Sequence, residues 1–196
     1  MRFRSAVMTV LFLGIPVILA PVSVAAPPEP GSLDALVTAI ADRIELADAV
    51  AAAKWETARQ TRQEPVIDDP DREAVVYSGM AALGAKSGLS ERWVDQVFAG
   101  QIDASKIVQR GLILRWNLDQ GSAPTVAVDL TAVRPEIDRT NVEIIDQMAD
   151  RRPALTGPGC GALVIRSVMA TLAVRPMDPL HQAALFRATL PLCPVG

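Results

Sequence analysis

Neither glycine nor proline interrupts the stretch from Leu33 to Glu64, and its apolar residues recur at helical spacing. This pattern predicts one long helix that begins after Ser32, a typical N-cap residue. Half of the chain is apolar but only 4% is aromatic, and Ala, Leu, Val and Ile dominate. That composition, with few alternating β-branched runs, favours helices over strands.

The remaining chain predicts further helices separated by Pro- and Gly-containing connections. We therefore expect an all-α fold: a single domain of about six helices, three of them long and forming a pocket. After the first helix, the expected segments are Asp69 or Asp71 to Lys86, Ser90 to Trp116, a helix capped by Thr131 and ended by Pro153 and Gly157, Gly161 to Arg175, and Pro179 to Leu190.

The N-terminus has the pattern of an export signal. Arg2 and Arg4 precede an apolar run, and Ser23-Val24-Ala25 forms a small-x-small cleavage site. We predict a signal peptide over residues 1–25, a Pro-rich linker over 26–32 and one helical domain over 33–196. Cleavage changes the net charge from −3 to −5 and leaves about 170 residues, enough for one core. The predicted location is secreted or periplasmic, with no binding to nucleic acid or, after cleavage, to membrane.

The two cysteines, Cys160 and Cys193, both lie near the C-terminus. In an oxidising compartment we expect them to pair and to tie the last helices together. The wide spacing and the lack of a C-x-x-C motif favour a structural bond over a redox role.

The sequence lacks the residues that several kinds of catalytic or binding site need. His181 is the single histidine, which leaves almost no material for a His-based metal cluster or a Ser-His-Asp triad. We expect His181 to be packed or on the surface, and predict no metal site. The glycines near Cys160 lack the strand and lysine of a phosphate loop. Bridged cysteines exclude thiol catalysis.

Polar residues at helical spacing remain. Arg43 and Lys54 are eleven residues apart, about three turns, and so point the same way on one helix. Two further sets share helical faces through i, i+3 and i, i+4 spacing. They are Asp69, Arg72 and Glu73, and Ser105 and Gln109. Each such residue alone is by default a solvated surface group, but together they favour a pocket for a small dianion.

The order of these residues resembles the all-helical class of chorismate mutases. The matching elements are Arg43, Lys54, Asp69-x-x-Arg72-Glu73 and Phe98-x-x-Gln101-Ile102-x-x-Ser105-x-x-x-Gln109. The signal peptide, the segment Leu46 to Trp55, Asp129 to Arg134 and the cysteine pair resemble the secreted gamma subclass. The similarity extends from about Leu33 to Cys193.

The resemblance implies rearrangement of chorismate to prephenate, a cofactor-free pericyclic reaction of aromatic amino acid biosynthesis. It implies that Arg43 and Arg134 hold the two carboxylates, and that Lys54 and Gln109 donate to the ether oxygen. Asp69, Arg72, Glu73 and Ser105 would hold the ring hydroxyl and the other substrate oxygens. The resemblance also implies a homodimer in which each site is built within one chain.

Two positions depart from the family pattern. The connection from Lys54 to Asp69 is longer than usual, so Asp68 and Asp69 compete for one role. Val76 stands where close relatives have a polar residue. Two other functions stay open on the same residues: an exported helical binding or interaction protein that keeps the fold without turnover, and a periplasmic carrier of an aromatic acid.

Overall fold

The computed structural model describes residues 32–194, which form seven α-helices and two short 3-10 helices without any strand in that range. The predicted signal peptide and residues 26–31 of the linker lie outside the described residues. The α-helices are α1 (Asp34–Thr61), α2 (Pro70–Lys86), α3 (Glu91–Leu118), α4 (Leu130–Asp150), α5 (Arg152–Thr156), α6 (Cys160–Val174) and α7 (Pro179–Thr189). The all-α prediction is confirmed.

The seventh helix is the short α5, which the sequence pattern did not predict. Pro153 was expected to end the fourth helix, but it occupies the first turn of α5. Proline is tolerated there because the first N–H groups of a helix have no intrahelical acceptor. The expected cap of the fourth helix was also wrong by two residues. Asp129 is the N-cap, and its Oδ1 accepts from the backbone N–H of Thr131 at 2.8 Å.

The core is centred on α1, which packs against α3, α4 and α7, and α7 also packs along α3. Ile40, Ile44, Phe98, Ile144 and Leu185 are almost completely excluded from solvent. The two longest helices, α1 and α3, lie side by side, and α7 packs against both. Residues on their facing sides therefore keep fixed positions along most of the domain's length.

The C-terminal segment is docked on α3 by close packing and hydrogen bonds. Trp93 Nε1 donates to the carbonyl of Leu192 at 2.9 Å. A Cβ at Gly100 would lie 2.5 Å from a side-chain carbon of Pro191, so only glycine allows this approach.

Among the helices of residues 32–194, none combines the length and the hydrophobicity that a membrane-spanning segment needs.

His181 is buried on α7 between two carboxylates. Its Nε2 lies 2.8 Å from Asp48 on α1, and its Nδ1 lies 3.0 Å from Asp178. Burial lowers the pKa of His181, but the two carboxylates outweigh it and leave the pKa raised. The residue is therefore packed, as expected, and joins α7 to α1.

The predicted disulfide is confirmed between Cys160, the first residue of α6, and Cys193, which follows the last 3-10 helix. Their Cα atoms are 5.9 Å apart and 33 positions apart in sequence. The bond joins the start of α6 to the segment docked on α3.

Replacing both cysteines by alanine is expected to lower the free energy of unfolding by about 3–4 kcal/mol, the loop-closure entropy of a loop of this length. Denaturant unfolding of the wild type and of Cys160→Ala/Cys193→Ala measures this difference. Adding reductant should destabilise the wild type and leave the variant unchanged. Equal stability of the two proteins would contradict a stabilising role for the bond.

Candidate active site

A cavity of about 160 Å³ lies between α1, α2, α3, the start of α4 and the loop that joins α1 to α2. All eight residues predicted from the sequence line it: Arg43, Lys54, Asp69, Arg72, Glu73, Ser105, Gln109 and Arg134. They come from four different helices of one chain.

Arg43 lies at the closed side of the cavity and is buried. Its Nε donates to Asn141 Oδ1 on α4 at 2.7 Å, and its Nη1 donates to the carbonyl of Gln101 on α3 at 3.0 Å. Burial and then repulsion from Arg72 lower the pKa of Arg43 to about 10, while Asp138 opposes the shift. The guanidinium is thus charged at neutral pH. Of its five N–H groups, the two on Nη2 and one on Nη1 remain available.

Lys54 lies about three turns further along α1 on the same face. Its Nζ donates to the carbonyl of Ile67 in the α1–α2 loop at 3.2 Å. Burial lowers the pKa of Lys54, and the nearby carboxylates, Asp69 first among them, work against that shift. The ammonium has two further hydrogens that this contact does not use.

The first turn of α2 resolves the choice between Asp68 and Asp69 for a place at the cavity. Asp69 is the N-cap of α2, accepts from the N–H of Arg72 at 3.1 Å and lines the cavity. Asp68 points to α3 instead, where Arg110 Nη2 donates to both of its oxygens at 2.8 and 2.7 Å. The longer connection therefore ends with Asp69 at the cavity, on the same side of α2 as Glu73.

Ser105 and Gln109 face the cavity from α3. Gln109 is buried, and its Nε2 donates to Ser105 Oγ at 3.0 Å. The buried Oε1 of Gln109 has no hydrogen-bond partner among the described residues. Buried amide oxygens are nearly always paired, so this side chain has hydrogen-bonding capacity that the folded chain does not use.

The start of α4 supplies the open side of the cavity. Arg134 is exposed, and no hydrogen bond or ion pair joins its side chain to another residue in the 32–194 range. Arg72 approaches Asp138 on α4 at 3.6 Å, which links α2 to α4 across the opening. Arg134 is therefore free to bind an anion that enters from solvent.

Sequence reasoning missed one charged residue of the cavity, Lys106, and most of its apolar wall. Lys106 follows Ser105 directly and pairs with Asp68 and Glu73. This pairing is tertiary, so the sequence carried no sign of it. The apolar lining consists of Val50, Ile67, Val76, Ile102, Leu130 and Ile137.

The residues that line the cavity carry a net positive formal charge. Five cationic side chains line it against two carboxylates. Its apolar wall weakens dielectric screening, which strengthens attraction to an anion. The arrangement suits a compact molecule with two negative charges and hydrogen-bonding oxygens. Val76 is part of the apolar wall, beside Arg72 and Glu73 on α2.

Comparisons with known proteins agree on one family. Residues 34–110 match the family model described as chorismate mutase type II. A secreted chorismate mutase of Mycolicibacterium smegmatis is 35% identical over 81% of this chain and 84% of that protein. A secreted chorismate mutase of Mycobacterium tuberculosis is 32% identical over 81% of this chain and 76% of its own.

Solved structures give the same result. The crystal structure of a chorismate mutase from Burkholderia phymatum superposes with a TM-score of 0.74 at 33% identity, covering 82% of this chain and 95% of that one. A chorismate mutase from Burkholderia thailandensis gives a TM-score of 0.73 at 29% identity, covering 82% and 98%. On its sequence and its fold, this chain belongs to the type II chorismate mutase family.

Proposed function

We propose that this chain is an exported chorismate mutase that rearranges chorismate to prephenate without a cofactor. The observation that carries the proposal is the cavity itself, a space with apolar walls that is lined by cations and by the Gln109 amide, whose Nε2 keeps one hydrogen that its bond to Ser105 does not use. The names of the secreted relatives support export. The disulfide also suits an oxidising compartment.

The reaction is pericyclic, so no group must take up or release a proton and no covalent intermediate forms. The protein's contribution is to hold the substrate in its compact conformer and to stabilise charge in the transition state. Guanidinium groups bind carboxylates through paired N–H donors. Arg43 offers the free end of its fixed guanidinium to one carboxylate, and the unpaired Arg134 binds the other from the open side.

Negative charge develops on the ether oxygen as its bond to the ring breaks. Lys54 on α1 and Gln109 on α3 donate to that oxygen. Each already makes one hydrogen bond to the protein, which orients it before substrate arrives. Such preorganised donors lower an activation barrier by several kcal/mol, and one donor in a well-studied oxyanion hole lowers it by about 3–4 kcal/mol.

Asp69, Arg72, Glu73 and Ser105 bind the ring hydroxyl and the remaining oxygens in this proposal. A homodimer is also part of it, on the resemblance to the family. The same resemblance implies a site built within one chain, and the eight residues assigned here all belong to this chain.

Incubating the purified mature protein with chorismate and following the loss of its ultraviolet absorbance tests the function. We expect first-order loss far above the uncatalysed rate and prephenate as the product. A folded helical protein, by circular dichroism, that leaves the background rate unchanged would refute the enzyme. Binding of chorismate without turnover would then favour a binding protein or carrier.

Alanine variants test the assigned roles. Lys54→Ala should lower kcat by about 100- to 1,000-fold, the usual cost of removing a donor from developing negative charge. Arg134→Ala should lower kcat/KM by a similar factor without unfolding the protein, since Arg134 is exposed and outside the core. Arg139→Ala is the matched control because Arg139 lies on the same helix, pairs with Glu136 and does not line the cavity. Full activity of Arg134→Ala would contradict its role.

The rate should be flat between about pH 5 and 8, because an amide at position 109 donates at any pH and ordinary carboxyl groups are already ionised there. Above this range the rate should fall earlier than an ordinary lysine would titrate, because burial lowers the pKa of Lys54. Gln109→Glu should instead lose rate as pH rises from about 5, since a carboxyl must be protonated to donate. A sharp loss of wild-type rate above about pH 5 would contradict the assignment of Gln109.

A further inference from the structure

Lys106 is a cavity residue that neither the sequence pattern nor the resemblance singled out. It follows Ser105 on α3, and its side chain is 15% exposed. Its Nζ lies 2.8 Å from Glu73 Oε1 and 3.0 Å from Asp68 Oδ1. Burial lowers the pKa of Lys106, but the hydrogen bonds that its ammonium donates to Glu73 and Asp68 outweigh burial and leave the pKa raised. Lys106 is therefore a charged group held between two carboxylates.

The two oxygens of Glu73 have different surroundings. Oε1 accepts from Lys106 and also lies 3.4 Å from the backbone nitrogen of Asp69. Oε2 accepts no hydrogen bond from any residue of the described chain. A carboxylate held through one oxygen has its rotamer fixed while the other oxygen stays free to accept.

Asp68 does not need Lys106 in the same way. Arg110 already binds both Asp68 oxygens, and this pair is outside the cavity. Glu73 is 24% exposed, against 61% for Asp68, so its contact with Lys106 is the less screened of the two. The geometry thus directs the main effect of Lys106 to Glu73.

We propose that Lys106 is a positioning residue that fixes Glu73 through Oε1, so that Oε2 accepts the hydrogen bond of the substrate's ring hydroxyl. This inference rests on the proposed mutase function. It also explains how a carboxylate is kept in a site for a dianion: the paired Lys106 cancels its charge while its free oxygen still recognises the hydroxyl.

Kinetics of single and double variants test the role of Lys106. Lys106→Met should lower kcat/KM by about 10- to 100-fold through misplacement of Glu73, and Lys106→Arg should recover most of that loss. In a Glu73→Gln background, adding Lys106→Met should cost less than about 2-fold more, because the two residues act as a unit. Arg110→Met removes the other Asp68 partner and serves as the control, with activity within about 2-fold of wild type.

Three outcomes would overturn the proposal. The first is Lys106→Met with nearly wild-type kcat/KM, and the second is losses in Lys106→Met and Glu73→Gln that simply multiply. The third is a loss in Arg110→Met as large as that in Lys106→Met, which would mean that Lys106 acts by anchoring the α1–α2 loop through Asp68 and not by positioning Glu73. Lys106→Gln substitutes for Lys106→Met if the latter does not fold by circular dichroism. Wild-type turnover is the reference in the same assay. An inactive wild type refutes the mutase function as well, whereas an active wild type with an unaffected variant refutes only the role of Lys106.

Discussion

The site depends on the burial of one guanidinium. Moving a charged group out of water costs several kcal/mol, and that cost is offset only where the group is well hydrogen-bonded. Arg43 on α1 meets this condition through Asn141 on α4 and the carbonyl of Gln101 on α3. Gln101 in turn donates from its side chain to the carbonyl of Ala188 on α7 at 3.0 Å. Hydrogen bonds therefore join four helices at this point, and the rest of the cavity is arranged around it.

From this fixed point the cavity combines rigidity with unused bonding capacity. Arg43, Lys54 and Gln109 each make protein contacts that set their orientation, and each keeps donors that the fold does not use. The side chain of Arg134, at the opening, makes no hydrogen bond or ion pair with another described residue. A reaction that needs no proton transfer requires little more than this: oriented donors, opposite charge and walls that exclude water. The absence of a catalytic histidine or thiol in the cavity lining fits such chemistry.

Local spacing predicted most of the cavity because its residues repeat along single helices. Arg43 and Lys54 share one face of α1, and Ser105 and Gln109 share one of α3, so helical periodicity alone brought each pair together. Arg134 carries no such partner and entered only through the family resemblance. Lys106 and the choice between Asp68 and Asp69 depend on contacts that α3 makes with α2 and with the loop before it, for which a single sequence has no signal. The short α5 was missed because proline signals both the end of one helix and the start of another.

A crystal structure with a bicyclic dicarboxylate that mimics the transition state tests the assignment of roles most directly. We predict that Arg43 and Arg134 each contact a different carboxylate, and that Lys54 Nζ and Gln109 Nε2 both lie within hydrogen-bond distance of the ether oxygen. An analogue bound outside the cavity, an ether oxygen that faces neither Lys54 nor Gln109, or a carboxylate held by a partner subunit in place of Arg134 would contradict it.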